Sequence, residues 1–170
     1  MFARHRGIPG KKLKTRHSYI SDLVFSLNGE LICGSSYEKI TVWNIKTGQL
    51  IRSLTGHTRY IEGLVIGPNG EIVGGSSDWT IRVWNAETGV LLKTLTGHTA
   101  AVNWLMISNS GELVSGSLDN TIKVWDLETG QLIRTLVRPY HFKWKELVLK
   151  TDDGQFVSTL SNDGNIQVWT

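Results

Sequence analysis

The stretch Ser115-Gly116-Ser117-Leu118-Asp119-Asn120-Thr121-Ile122-Lys123-Val124-Trp125-Asp126 decides how the chain is read. With Leu113 and Val114 before it, it holds two short β-branched runs separated by turn-forming residues, the pattern of two strands and a tight connection. Its ending recurs as Thr41-Val42-Trp43, Arg82-Val83-Trp84 and Gln167-Val168-Trp169, so that the tryptophans stand 41, 41 and 44 residues apart. A period of this length marks a repeat architecture in which each unit is one supersecondary element.

Working outward from that stretch, each unit carries a histidine upstream of its tryptophan: His17, His57, His98 and His141. Two of them sit in an identical Leu-Thr-Gly-His-Thr, at 54–58 and 95–99. Asn28-Gly29, Asn69-Gly70, Ser110-Gly111 and Asp153-Gly154 supply the positive φ of hairpin turns, and Thr47-Gly48, Thr88-Gly89 and Thr129-Gly130 punctuate the next connection. The third unit therefore predicts strand a at about 102–108, b at 112–117, c at 121–126 and d at 131–136. No stretch reads as a helix. A lone four-stranded sheet with two apolar faces is marginal, and placing such sheets around an axis covers both faces. The expectation is an all-β propeller of four repeats of four-stranded antiparallel blades, either whole or part of a larger ring.

At this point the units resemble the WD-repeat family over essentially all of 11–170, with the literal Trp-Asp dipeptide at Trp125-Asp126. The other units read Trp43-Asn44, Trp84-Asn85 and Trp169-Thr170. The resemblance implies a hydrogen-bonded tetrad of His, Ser or Thr, Asp and Trp in each blade. His98, Ser115, Asp119 and Trp125 make a full set. The second unit keeps His57, Asp78 and Trp84 but has Gly74 for the hydroxyl; the fourth keeps Asp163 and Trp169 with Ser158 or Thr159. The first keeps His17 and Trp43, with Cys33 at the hydroxyl position and Tyr37 in place of the Asp, which predicts a broken tetrad. The family also implies a non-catalytic scaffold or adaptor that binds protein or peptide partners on its blade-end loops.

Ser115, His98 and Asp119 also match the residue types of a hydrolase triad. A catalytic site is needed once, whereas this constellation recurs with the repeat, and no nucleophile-elbow motif accompanies it. The tetrad histidines lie a full repeat apart and no Cys-x-x-Cys occurs, so no metal or other cofactor is expected. Ser35-Ser36 and Gly74-Gly75-Ser76 lack Walker spacing and a following helix, and read as strands.

The net charge of +3 hides an asymmetry: residues 1–16 hold six basic residues and no acid, leaving −3 for the remainder. A basic leader on a mildly acidic body is not the surface-wide footprint of a nucleic-acid binder, which leaves nucleic-acid contact through the leader as the lesser alternative. Residues 1–10 read as a flexible basic tail and 11–170 as the propeller. Cys33 is the single cysteine, which excludes an internal disulfide and fits a reducing compartment. With no apolar run long enough to span a bilayer and no secretory signal, the expectation is an intracellular protein, cytoplasmic or nuclear, with no membrane partner and no small-molecule substrate.

In an up-and-down blade the d-to-a and b-to-c connections emerge at one end. Tyr19, Arg59, Tyr60, Trp79, Leu118, Lys143 and Trp144 fall in or near those connections, and aromatic and Arg side chains are enriched at interface hot spots. Tyr60 and Trp144 also read as core residues opening strand a, Trp79 as packing on a neighbouring loop, and Trp104, inside strand a, as core. The last unit stops at strand c, so Leu13-Lys14-Thr15 is expected to supply its strand d. A ring of four blades needs steep wedge angles, and a homodimer completing a larger ring is the other way to close four repeats.

Overall fold

The alternating runs form strands because one residue in two is apolar and each turn supplies the conformation that ends them. The computed structural model describes residues 19–35 and 38–137, and the strand backbones at 148–150, 156–159 and 166–169. Strands β1 (Ile20–Phe25), β2 (Leu31–Ser35), β3 (Ile40–Asn44) and β4 (Gln49–Leu54) make the first sheet. The second holds β5 (Ile61–Ile66), β6 (Ile72–Ser76), β7 (Ile81–Trp84) and β8 (Leu91–Leu95), and the third β9 (Val102–Ile107), β10 (Leu113–Ser117), β11 (Thr121–Trp125) and β12 (Leu132–Val137). The fourth has three described strands, β13 (Val148–Lys150), β14 (Phe156–Thr159) and β15 (Ile166–Trp169). All pairings are sequential and antiparallel, and the expected strands of the third unit agree with the observed ones to within about a residue. Leu13-Lys14-Thr15 and the Asp153-Gly154 turn lie outside the described residues.

The turns repeat as closely as the strands. Gly29, Gly70 and Gly111 take φ of 76°, 85° and 84° between strands a and b, a region open to glycine at no steric cost. In the c-to-d turns Asn44 Oδ1 accepts the Lys46 and Thr47 amides at 3.0 Å each, Asn85 Oδ1 accepts those of Glu87 and Thr88, and Asp126 Oδ1 accepts that of Thr129. The turn needs only a side-chain oxygen after the tryptophan. That is why Trp-Asn serves as well as Trp-Asp.

Period-two alternation gives every sheet a leading face, turned to the sheet before it, and a trailing face, turned to the sheet after. Ile32, Ile40, Val42 and Leu54 on the trailing face of the first sheet pack with Ile61, Leu64, Ile72 and Trp84 on the leading face of the second. Val73, Ile81, Val83 and Leu95 meet Val102, Leu105, Leu113, Trp125 and Leu127 in the same way. The core is thus a series of equivalent layers between blades, the arrangement expected of a solenoid-like repeat.

Close approach of each inner strand depends on a glycine. A Cβ on Gly34 would lie 2.9 Å from Ile61 Cγ2, and one on Gly75 would lie 2.9 Å from Val102 Cγ1 and 3.0 Å from its carbonyl oxygen. Side chains at either position would force the blades apart. The inner strands are also tied directly, since the Leu64 amide donates to Asp22 Oδ2 at 2.8 Å.

Candidate functional site

In the third blade the structure brings all four tetrad residues together from two strands, β10 and β11, and the two connections d-to-a and b-to-c. The Trp125 indole N–H donates to Ser115 Oγ at 2.8 Å, and Ser115 Oγ lies 2.8 Å from His98 Nε2. His98 Nδ1 lies 2.8 Å from Asp119 Oδ2, which also accepts the Thr99 amide, while Asp119 Oδ1 accepts the amide and hydroxyl of Thr121. One tautomer satisfies every group: Nδ1–H donates to Asp119, and the serine hydroxyl donates to Nε2 while accepting from the indole. The effect is to pin the d-to-a connection to the b-to-c turn.

The electrostatics agree with a neutral imidazole. Burial pushes the pKa of His98 below 6.5 against the opposing pull of Asp119. Burial raises Asp119, but the hydrogen bonds from Thr121, Thr99 and His98 outweigh it and hold the carboxyl below its usual range. Ser115 is fully buried on a middle strand, and its oxygen already accepts the indole proton. The distances are those of a hydrolase triad, but the hydroxyl that would attack a substrate carbonyl is fully buried among the described residues.

The second blade solves the same problem without the hydroxyl. His57 Nδ1 lies 2.8 Å from Asp78 Oδ2, as in the third blade, but Nε2 lies 3.1 Å from the Gly74 carbonyl oxygen. The Trp84 indole donates instead to the Thr55 carbonyl at 3.2 Å. Burial pushes His57 below 6.5, with Asp78 and the Gly74 carbonyl opposing. Asp78 is raised by burial and lowered more by Thr80, Thr58 and His57, reaching about 2.

In the first blade Trp43 is buried, and its indole N–H has no partner among the described residues. Cys33, at the hydroxyl register, is a buried thiol whose pKa burial raises. His17, Tyr37, His141 and Asp163 lie outside the described residues. In the fourth sheet Ser158 pairs with Gln167, the register at which Ser115 pairs with Lys123, so Ser158 rather than Thr159 holds the hydroxyl position. Trp169 ends β15 as Trp125 ends β11.

The Ser77 amide donates to the Tyr60 carbonyl and the Leu118 amide to the Ala101 carbonyl, both at 2.9 Å, so the d-to-a and b-to-c connections meet at one end. Tyr19, Tyr60, Trp79 and Leu118 all stand exposed there, with Arg59 beside them. Tyr60 corrects the core reading, because β5 begins one residue later and it is Ile61 that points inward. Trp79 is 54% exposed. Trp104 is half-buried, against the Val114, Ile122 and Val124 cluster. Lys143 and Trp144 lie outside the described residues.

Sequence reasoning missed the backbone of Trp79. Its φ is 72°, and Glu38 (33°) and Asn120 (64°) occupy the same turn position in the adjacent blades. The turn demands a left-handed residue, which asparagine tolerates and a bulky aromatic does not. The signal was available in the alignment of Asp78-Trp79 with Asp119-Asn120. Among the described residues no cluster of His, Cys, Asp and Glu could hold a metal, and no helix is long and apolar enough to cross a membrane.

Comparison with known proteins agrees with this geometry. The family model described as WD domain, G-beta repeat matches residues 48–85 and 89–126. Among solved structures, the computationally designed Ika4 protein is 36% identical with a TM-score of 0.76, over 95% of this chain and 98% of that one. The RRP9 WD40 repeats (23% identity, TM-score 0.75) and the WD40 β-propeller domain of Doa1 (23%, 0.76) align over 95% and 89% of this chain. This chain spans 49% and 50% of theirs, about half their length. No curated protein matches. The recurring Trp-Asp or Trp-Asn turn, the buried tetrad and these likenesses agree: the chain belongs to the WD-repeat family of β-propeller proteins.

Proposed function

We propose that this chain is a non-catalytic interaction module that docks a peptide or protein segment at the end where Tyr19, Tyr60, Trp79 and Leu118 are exposed. WD40 propellers generally serve as protein-interaction scaffolds, and the family is generally non-catalytic. The observation that carries the reading to this end of the molecule is Trp79. It is a large aromatic, 54% exposed, in a left-handed turn position where the next blade has asparagine. Strain of this kind is retained where surrounding structure and function outweigh it. Tyr19 and Tyr60 immediately precede β1 and β5, the a strands of adjacent blades, and both are exposed, as Trp79 is in the b-to-c turn. Such a surface offers contact area at low entropic cost, with Arg59 available for an acidic or carbonyl group.

The test is selection of displayed random peptides on the purified chain, counter-screened against Trp79→Asn and Tyr60→Ala. Peptides that bind the unaltered chain and lose at least tenfold in affinity on either variant are the expected result. Enriched peptides that bind all three proteins equally would move the site elsewhere.

A further inference from the structure

Asn28-Gly29-Glu30 and Asn69-Gly70-Glu71 are the same three residues at the same place, the a-to-b hairpin tips of the first and second blades. The third blade has Ser110-Gly111-Glu112 there. The backbone treats the two asparagines alike: Gly29 and Gly70 have φ of 76° and 85°, and their amides donate to the Ser26 and Gly67 carbonyls at 2.9 Å each. Both asparagines are exposed. Their side chains are held differently. Glu71 grips Asn69, with Oε2 accepting its backbone amide at 3.1 Å and Oε1 accepting Nδ2 at 3.2 Å. Glu30 is drawn the other way, because Oε1 accepts Arg52 Nη2 at 3.0 Å. The Asn28 carboxamide has no hydrogen-bond partner among the described residues. Lys93 holds the register of Arg52 in the second blade and makes no ion pair with Glu71.

An asparagine before glycine stands next to its own nucleophile. Glycine has no Cβ to hinder its backbone nitrogen as it approaches the preceding side-chain carbonyl, and a Cβ at Gly29 would meet nothing within 4 Å. When the hairpin tip opens and the Gly29 amide leaves the Ser26 carbonyl, that nitrogen can attack Asn28 Cγ. The N–Cγ bond forms, the Cγ–Nδ2 bond breaks, and Nδ2 departs as ammonia with the proton that the Gly29 nitrogen gives up. One water then opens the cyclic imide at either carbonyl, leaving aspartate or isoaspartate, and no oxidant or reductant enters. At Asn69 the same opening is not enough, because the carboxamide must also leave Glu71.

We infer that Asn28 is a site of spontaneous deamidation in this protein, reacting ahead of Asn69 although both stand in Asn-Gly-Glu, and that Arg52 sets this order by holding Glu30 away from the asparagine. Hairpin tips belong to the part of a fold that opens most readily, and asparagine is a thermolabile residue there. The change falls on a defined place. Asn28, Asn69, Glu71 and Glu87 line one cleft between the first two blades, so each event adds a carboxylate beside two others. The isoaspartate product also carries the main chain through the former side chain, which lengthens the hairpin by one methylene. The cleft lies at the end opposite the aromatic docking surface, and the inference does not rest on that reading.

Peptide mapping by mass spectrometry tests it on the full chain, incubated at mildly alkaline pH in water enriched in heavy oxygen. Cleavage after Arg16, Lys39, Arg59 and Arg82 places the two asparagines in separate peptides. Heavy oxygen is expected in the Asn28 peptide several-fold sooner than in the Asn69 peptide. In urea the two rates are expected to converge, since neither glutamate is then held in place; this comparison uses the unaltered chain and does not depend on how any variant folds. In the folded chain Glu71→Ala is expected to raise the Asn69 rate to that of Asn28, and Arg52→Leu to slow Asn28. Equal rates in the folded unaltered chain, a faster Asn69, or a difference that persists in urea would each overturn the inference, and an Asn28 rate unchanged by Arg52→Leu would overturn the part assigned to Arg52.

Discussion

His57 Nε2 lies 3.1 Å from the carbonyl oxygen of Gly74, where the equivalent nitrogen of His98 meets a serine hydroxyl. His57 thus faces an acceptor on both sides, since Nδ1 is 2.8 Å from the Asp78 carboxylate. A neutral imidazole can donate to only one of them, and the other contact is unfavourable until the ring is protonated. His98 has no such conflict. Burial depresses both histidines, but His57 is expected to titrate at the higher pH of the two, which two-dimensional NMR of the ring protons would read directly.

Gly74→Ser restores the family's tetrad on paper. The new Cβ would meet Ile40 Cδ1 at 3.0 Å and Trp84 Cζ3 at 3.2 Å, and the indole that the hydroxyl would serve already donates to Thr55. The isoleucine methyl can yield, but the indole is held in the core. The expected outcome is a net destabilisation on the order of 1 kcal/mol, together with a lower pKa for His57, measured by urea unfolding and NMR.

Asp119→Ala removes the acceptor shared by His98, the Thr99 amide, and the Thr121 amide and hydroxyl. Leaving those donors unpaired is expected to cost about 1–3 kcal/mol in the urea midpoint. An unchanged midpoint would show that the d-to-a and b-to-c connections are held by something other than this carboxylate.

Trp79→Asn places in the second blade the residue the third blade uses at the same left-handed position. Relief of the steric conflict is expected to stabilise the chain by about 1 kcal/mol, since an ordinary side chain in that region costs roughly 1–2 kcal/mol. Stability gained together with peptide affinity lost is the combined result that the interaction reading requires.

Acid should destabilise the chain in two stages. His57 and His98 have folded pKa values below 6.5, so as the pH drops through that value the unfolded chain takes up protons that the folded chain resists. Asp78 follows: its carboxylate contributes above 3.8, and that contribution is lost as the pH falls from 3.8 toward about 2. Thermal melting followed from neutral pH downward should show Tm falling first below pH 6.5. A Tm independent of pH between 7 and 5 would mean that the histidines are accessible to solvent in the folded state.

Much of this molecule was legible in its sequence because the decisive interactions are local and repeated. Alternation names the strands, glycine names the turns, and a period of about 41 residues carries both from unit to unit. The residue types of the third tetrad stand in the sequence with the same clarity, and so does the gap at Gly74. What occupies that gap was not legible, because the backbone carbonyls of Gly74 and Thr55 belong to every residue alike and only the tertiary approach of His57 and Trp84 selects them. Exposure was hidden for the same reason. Leu23, Leu64 and Leu105 are the same residue at the same place in three repeats, yet one is exposed and two are buried. The sequence by itself determined the blade; which of its faces is covered depends on neighbours that a blade's own residues do not encode, and only the assembled tertiary structure decides it.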